Sequence, residues 1–247
     1  MSDPFILGLI AISFLVAGTI KGAVGIGLPT AAMGLMTLTL DPRTAISLIL
    51  MPMLLSNAWQ VYRSGDTRRA MRSYLPLALT LMIGVALAVS LARNAPDRLL
   101  LATLGVSLLI FVAVNASRWT PRIPDSHDRP AQIVTGAIAG IMGGITSVWA
   151  PPMAVYLAAR QVGKDEFVRA SGLLIFLGSL PLVIGYMFQG YLTRDLGLVS
   201  LVMLVPTFAG FAFGERLRNR FSEAGFKRML LVIFTLIGLN LIRRAVF

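Results

Sequence analysis

The sequence predicts an all-α polytopic membrane protein of two inverted-topology repeats, each a broken helical hairpin followed by three transmembrane helices, about 8–10 membrane segments in all. Three observations predict it. Apolar residues make up 56% of the 247 and charged ones only 13%, against roughly 25% charged in an ordinary soluble domain. Apolar runs long enough to cross a bilayer recur from end to end. Two of these runs, around residues 18–29 and 136–152, are interrupted by glycine and proline in related patterns.

In chain order, residues 5–20 form a first apolar segment, slightly short for a straight crossing. Its flank lacks the basic start of a cleaved signal, so it is expected to stay in the membrane. Lys21 follows, and then residues 22–40, broken by glycine and by Pro29. These two pieces read either as two tilted crossings or as one hairpin whose break lies within the membrane. Asp41-Pro42-Arg43 is a turn, residues 44–62 a span, and residues 63–72 a basic loop. Residues 74–92 and 99–116 are plain apolar spans. Residues 117–130, with three prolines and the only histidine, read as a cytoplasmic linker. A second broken segment, 131–159, is followed by spans at 167–189, 196–213 and 229–242.

This divides the chain into a first membrane repeat (1–116), the linker (117–130) and a second repeat (131–247). A spacing of 118 pairs Gly18, Gly22 and Gly25 with Gly136, Gly140 and Gly143, so Ala139 stands where the first half has Lys21. Beyond an insertion at 146–149, a spacing of 125 pairs Ala45 with Ala170, Gly65 with Gly190, and Asn115 with Asn240. If each broken segment enters and returns, fifteen basic residues, among them Arg118, Arg218, Arg220, Lys227 and Arg228, fall on the cytoplasmic side and six outside. Both termini are then outside and the halves are inverted copies.

The net charge of +11 does not imply nucleic acid, because the 22 basic residues sit in short loops with no soluble domain to carry a binding face. The absence of cysteine excludes disulfides and thiolate chemistry. Acidic residues lie in loops or at span ends, Glu215 included, and no serine has an evident base, so no enzyme is expected. No cofactor or metal is expected either. A homo-oligomer is compatible with the composition, since lipid-facing and partner-facing apolar residues look alike.

The candidate site is the pair of broken segments. A lysine deep in a membrane segment is costly and needs a compensating partner, and no acid lies in the same run. Lys21 either faces an anionic ligand or snorkels to an interface. Gly22, Gly25 and Gly27 can open backbone N–H groups, and a helix beginning near Pro29 aims its positive end at them. In the second half, Gly143 and Gly144 loosen the backbone, Thr146 and Ser147 offer hydroxyls, and Trp149 walls the cavity or anchors at an interface. Asn57, Gln60 and Gln189 lie on neighbouring spans and line the path or bond between helices. The reading is an alternating-access transporter of a small anion. An anion channel with the same lining is the alternative.

At these two segments the chain resembles the sulfite exporter TauE/SafE family of membrane permeases. The matching residues are Gly18-x-x-Lys21-Gly22-x-x-Gly25-Ile26-Gly27-Leu28-Pro29 and Gly136-x-x-x-Gly140-x-x-Gly143-Gly144 with Pro151 beyond, and Ala45 to Gly65 and Ala170 to Gly190 support them. The resemblance implies secondary transport of small sulfur-containing anions such as sulfite, thiosulfate or organosulfonates across a bacterial inner membrane. The second segment departs from the glycine-rich pattern at Thr146-Ser147-Val148-Trp149.

Overall fold

The computed structural model describes residues 3–117, 122–218 and 223–246. Among them every regular element is helical: α1 Pro4–Val24, α2 Leu28–Met36, α3 Pro42–Ser64, α4 Thr67–Ser73, α5 Leu75–Leu91, α6 Asp97–Ala116, α7 Asp128–Thr146, α8 Ala150–Ala159, α9 Lys164–Phe188, α10 Arg194–Val202, α11 Leu204–Arg218 and α12 Glu223–Val246. Arg118 and Arg220 lie outside the described residues, as do the side chains of Asn115, Arg218, Lys227 and Arg228.

The protein is an integral membrane protein. Six described segments are long and apolar enough to cross a bilayer: α1, α3, α5 with its following turn, α6, α9, and α10 with α11. Helix α1 runs through Lys21 to Val24, so the lysine lies inside a 21-residue helix rather than at the end of a short one. Its start is capped by the Asp3 carboxylate, which accepts from the Phe5 N–H. The segment expected as a basic loop at 63–72 contains helix α4, because its Arg, Ala and Met residues are good helix formers. The single span expected at 196–213 is two helices meeting at Met203. Pro206, in the first turn of α11, cannot donate to a helix continuing from α10.

Helices α3 and α9 pack together at the centre and are the most buried of the six spans. Around them α1 packs on α11, α5 on α7, and α6 on α12. Glycine sets the first two contacts. A Cβ at Gly18 or Gly22 would lie 2.2 or 2.1 Å from the carbonyl oxygen of Thr207 or Phe211, and one at Gly210 or Gly214 would lie 2.1 Å from that of Leu15 or Thr19. On α7, Gly136, Gly140 and Gly144 sit in the same way against the backbone of α5. These are backbone-to-backbone crossings of the small-residue kind.

Candidate functional site

The two breaks have one geometry. After α1, Gly25 takes a left-handed conformation (φ 89°) and its N–H donates to the Lys21 carbonyl at 2.6 Å. After α7, Ser147 does the same (φ 60°), donating to the Gly143 carbonyl at 2.7 Å. Gly27 and Trp149 then precede α2 and α8, with Pro29 and Pro151 in their first turns, where a missing N–H costs nothing. The matching residues are Gly18 with Gly140, Lys21 with Gly143, Gly22 with Gly144, and Gly25 with Ser147, a spacing of 122. The caps of the two breaks thus match at a spacing one helical turn from the 118 read from the glycines alone. Glycines recur every four residues along both helices, and only the caps fix the register.

This register changes what stands opposite Lys21. The equivalent residue is Gly143, not Ala139, and the Trp149 ring fills the space beside it. A Cβ at Gly143 would lie 2.1 Å from Cε3 of the indole. Trp149 is 1% exposed and also lies against Gly178 of α9, so it packs in the interior and does not anchor at an interface. One half thus presents an ammonium and the other an aromatic wall.

Lys21 is 1% exposed and does not snorkel. Its ammonium donates to Asn57 Oδ1 at 2.5 Å, and Asn57 Nδ2 in turn donates to the Met53 carbonyl at 2.6 Å. Its place in the last turn of α1, at the negative end of the helix dipole, favours the charge. Among the described residues no carboxylate pairs with it. The ammonium borders a cavity of about 180 Å³ whose wall includes Gly22, Gly25, Gln60, Arg63, Val168 and Glu215. Gln60 ties the break to α9 by donating to the carbonyls of Gly25 (3.1 Å) and Val168 (2.7 Å), leaving its own Oε1 buried without a partner. At the outer end Arg63 pairs with Glu215 at 3.0 Å, both half exposed.

The predicted residues separate into two groups. Lys21, Gly22, Gly25 and Asn57 come together with the cavity. Gly27 and Pro29 shape the turn into α2 and are not part of the wall. The Gly25 N–H is committed to Lys21, and Gly22 lies inside α1 against Phe211, so neither offers a free N–H. Gly143, Gly144, Thr146, Ser147 and Trp149 form the second break. Thr146 Oγ1 donates to the Met142 carbonyl and accepts from the Val148 N–H, whereas Ser147 Oγ and Trp149 Nε1 are buried with no partner. Gln189 donates to the Val89 carbonyl at 2.9 Å, apart from the Lys21 cavity. Sequence reasoning missed Arg63, Val168 and Glu215 as wall residues. The signal for Glu215 was the Gly210/Gly214 pair on α11, which complements Gly18/Gly22 on α1 and brings the adjacent Glu215 to Lys21's end of the helix.

Residues 9–241 match the family described as sulfite exporter TauE/SafE. No curated protein and no solved structure matches the chain.

Proposed function

Since the chain belongs to the sulfite exporter TauE/SafE family, whose members are transporters and not enzymes, we propose that it is a secondary transporter carrying small sulfur oxyanions or sulfonates through the Lys21 cavity by alternating access. One observation carries this reading: a fully buried ammonium, unpaired with any described carboxylate, borders a cavity of about 180 Å³. At roughly 30 Å³ per water, that volume holds a small oxyanion and part of its hydration shell. Within the membrane such a charge costs a few kcal/mol, and a bound anion offsets that cost.

The halves 1–116 and 131–247, joined by 117–130, act as inverted copies. The likeness of the breaks supports this, as do the matching pairs α1 on α11 and α7 on α5. The basic residues of the Arg63 end, Arg68, Arg69, Arg72, Arg160 and Arg169 among them, favour a cytoplasmic location for that face, with both termini outside. In a bacterial inner membrane the potential drives anions outward, so export needs no coupled ion.

The test is thermal stabilisation of the detergent-solubilised protein by sulfite, thiosulfate, sulfoacetate, taurine, sulfate and acetate. An anion at 100-fold over its Kd stabilises the native state by about 2.7 kcal/mol. Stabilisation by a sulfur anion that vanishes in Lys21→Met supports the site; an unchanged response in that variant refutes it. Saturable flux with trans-stimulation separates the transporter from a channel.

A further inference from the structure

The Lys21 cavity has a closed counterpart at the other end of α3. Arg63 and Ser64, at the C-terminal end of α3, border the open cavity, whereas Arg43, in its first turn, borders a space of only about 10 Å³. The two ends are about 30 Å apart at 1.5 Å per residue, so they serve opposite membrane faces. Four positions of the two walls correspond. Gly22 of α1 answers to Gly144 of α7. Glu215, one turn beyond the Phe211 that covers Gly22, answers to Val89, one turn beyond the Val85 that covers Gly144. Ser64 at the end of α3 answers to Gln189 at the end of α9, and Val168 in the first turns of α9 answers to Arg43 in the first turn of α3. The first space has room for a ligand; the second holds one water at most.

A polar cluster shuts the second space. The Arg43 guanidinium pairs with Asp97, donates to the carbonyls of Arg93 (3.3 Å) and Ala95, and stacks over the Tyr191 ring at 5.5 Å. The Tyr191 hydroxyl donates to the Arg93 carbonyl at 2.9 Å, and Ser47 Oγ donates to the Tyr191 carbonyl at 3.1 Å. The start of α3, the α5–α6 turn and the α9–α10 turn are thereby tied together. Asp97 is the only carboxylate on Arg43 among the described residues, and its side chain is 47% exposed, so it can be displaced toward solvent.

We propose that this closed space is a second oxyanion-binding vestibule, opening to the face opposite the Lys21 cavity, with Arg43 as its cation and Asp97 holding the anion's place while it is shut. The proposal rests on the transporter reading. In the opposite-facing state the Lys21 cavity narrows, the Arg43 cluster parts, and an arriving or departing oxyanion exchanges with Asp97 on the guanidinium. A planar guanidinium suits that exchange, since it takes a carboxylate or an oxyanion through the same paired donors.

The chain has no cysteine, so single-cysteine reporters are unambiguous. Val89→Cys reports the closed vestibule, where Val89 is 2% exposed, and Ser64→Cys reports the open cavity. Each is treated with a membrane-impermeant methanethiosulfonate in oriented vesicles, alone and combined with Asp97→Asn or with the milder Tyr191→Phe, which removes one bond of the cluster and keeps the ring. Either change is expected to speed labelling of Val89→Cys by roughly tenfold, the shift from losing one hydrogen bond of the cluster in a two-state gate, and to slow Ser64→Cys. Sulfoacetate is expected to protect Val89→Cys in the weakened backgrounds. Labelling of Val89→Cys that is unchanged in both backgrounds, or that rises without sulfoacetate protection, overturns the vestibule. Saturable sulfoacetate flux in the same vesicles leaves the transporter reading intact when the vestibule fails, whereas absence of flux with every anion of the panel removes that reading itself.

Discussion

Lys21 stands apart from the other buried residues because its surroundings leave its charge only partly answered. Asn57 satisfies one of three N–H donors and the α1 dipole helps, but both are weaker than a counter-ion. Replacing it with methionine keeps the volume and removes a desolvated charge, so the ligand-free Lys21→Met protein is expected to melt at or above the wild-type temperature while losing its anion response. Asn57→Leu acts in the opposite sense. It strips the ammonium of its acceptor and is expected to destabilise the ligand-free protein by about 1–3 kcal/mol, as read from detergent melting, with part of that loss restored by a bound anion.

Among the elements, the α1–α11 crossing decides the shape of the cavity. Gly22 borders the cavity and also lies at the closest backbone approach between these helices, so its role is mechanical as well as positional. Gly22→Val is expected to push α11 away, lower stability by roughly 1–3 kcal/mol and separate Glu215 from Arg63. Gly8→Val, on the same helix with nothing within 4 Å of its Cβ, serves as control and is expected to leave melting almost unchanged. Equal melting of the two variants would show that the crossing has slack. Helices α7 and α8 are held at their outer ends by a separate network: Asp128 accepts from the Tyr156 hydroxyl at 2.7 Å and pairs with Arg160 at 3.1 Å. Arg160 also pairs with Asp125 and donates to the Ile123 carbonyl, pinning the described part of the linker. The hydrogen bond to the Asp125 carboxylate holds the Arg160 guanidinium above its ordinary pKa, so the cationic partner of this tie stays charged.

For the whole molecule, the expectation is an inverted pair with the Arg63 face in the cytoplasm. Asn94, after α5, and Gly163, before α9, are exposed and lie at opposite ends of the bundle. Single cysteines there are expected to label from opposite sides in intact cells, Asn94→Cys from outside and Gly163→Cys only after permeabilisation. Labelling of both from one side would end the inverted arrangement.

Legible in the sequence were the membrane class, most spans, both breaks and the lysine stranded in the first of them. Hydropathy, glycine, proline and a stranded lysine are local signals, because the bilayer imposes its length and polarity on each segment separately. The rest depended on contacts between distant segments. The glycine repeat along α1 and α7 is compatible with several registers, and only the left-handed caps at Gly25 and Ser147 chose 122 over 118. Whether Gly22 frees an N–H or seats a helix depends on Phe211, 189 positions away, and the cavity wall likewise draws Glu215 and Val168 from the far half of the chain. In a chain where lipid-facing and buried residues are equally apolar, periodicity does not say which helices meet. That pairing, and with it the cavity wall, comes from close packing between distant segments.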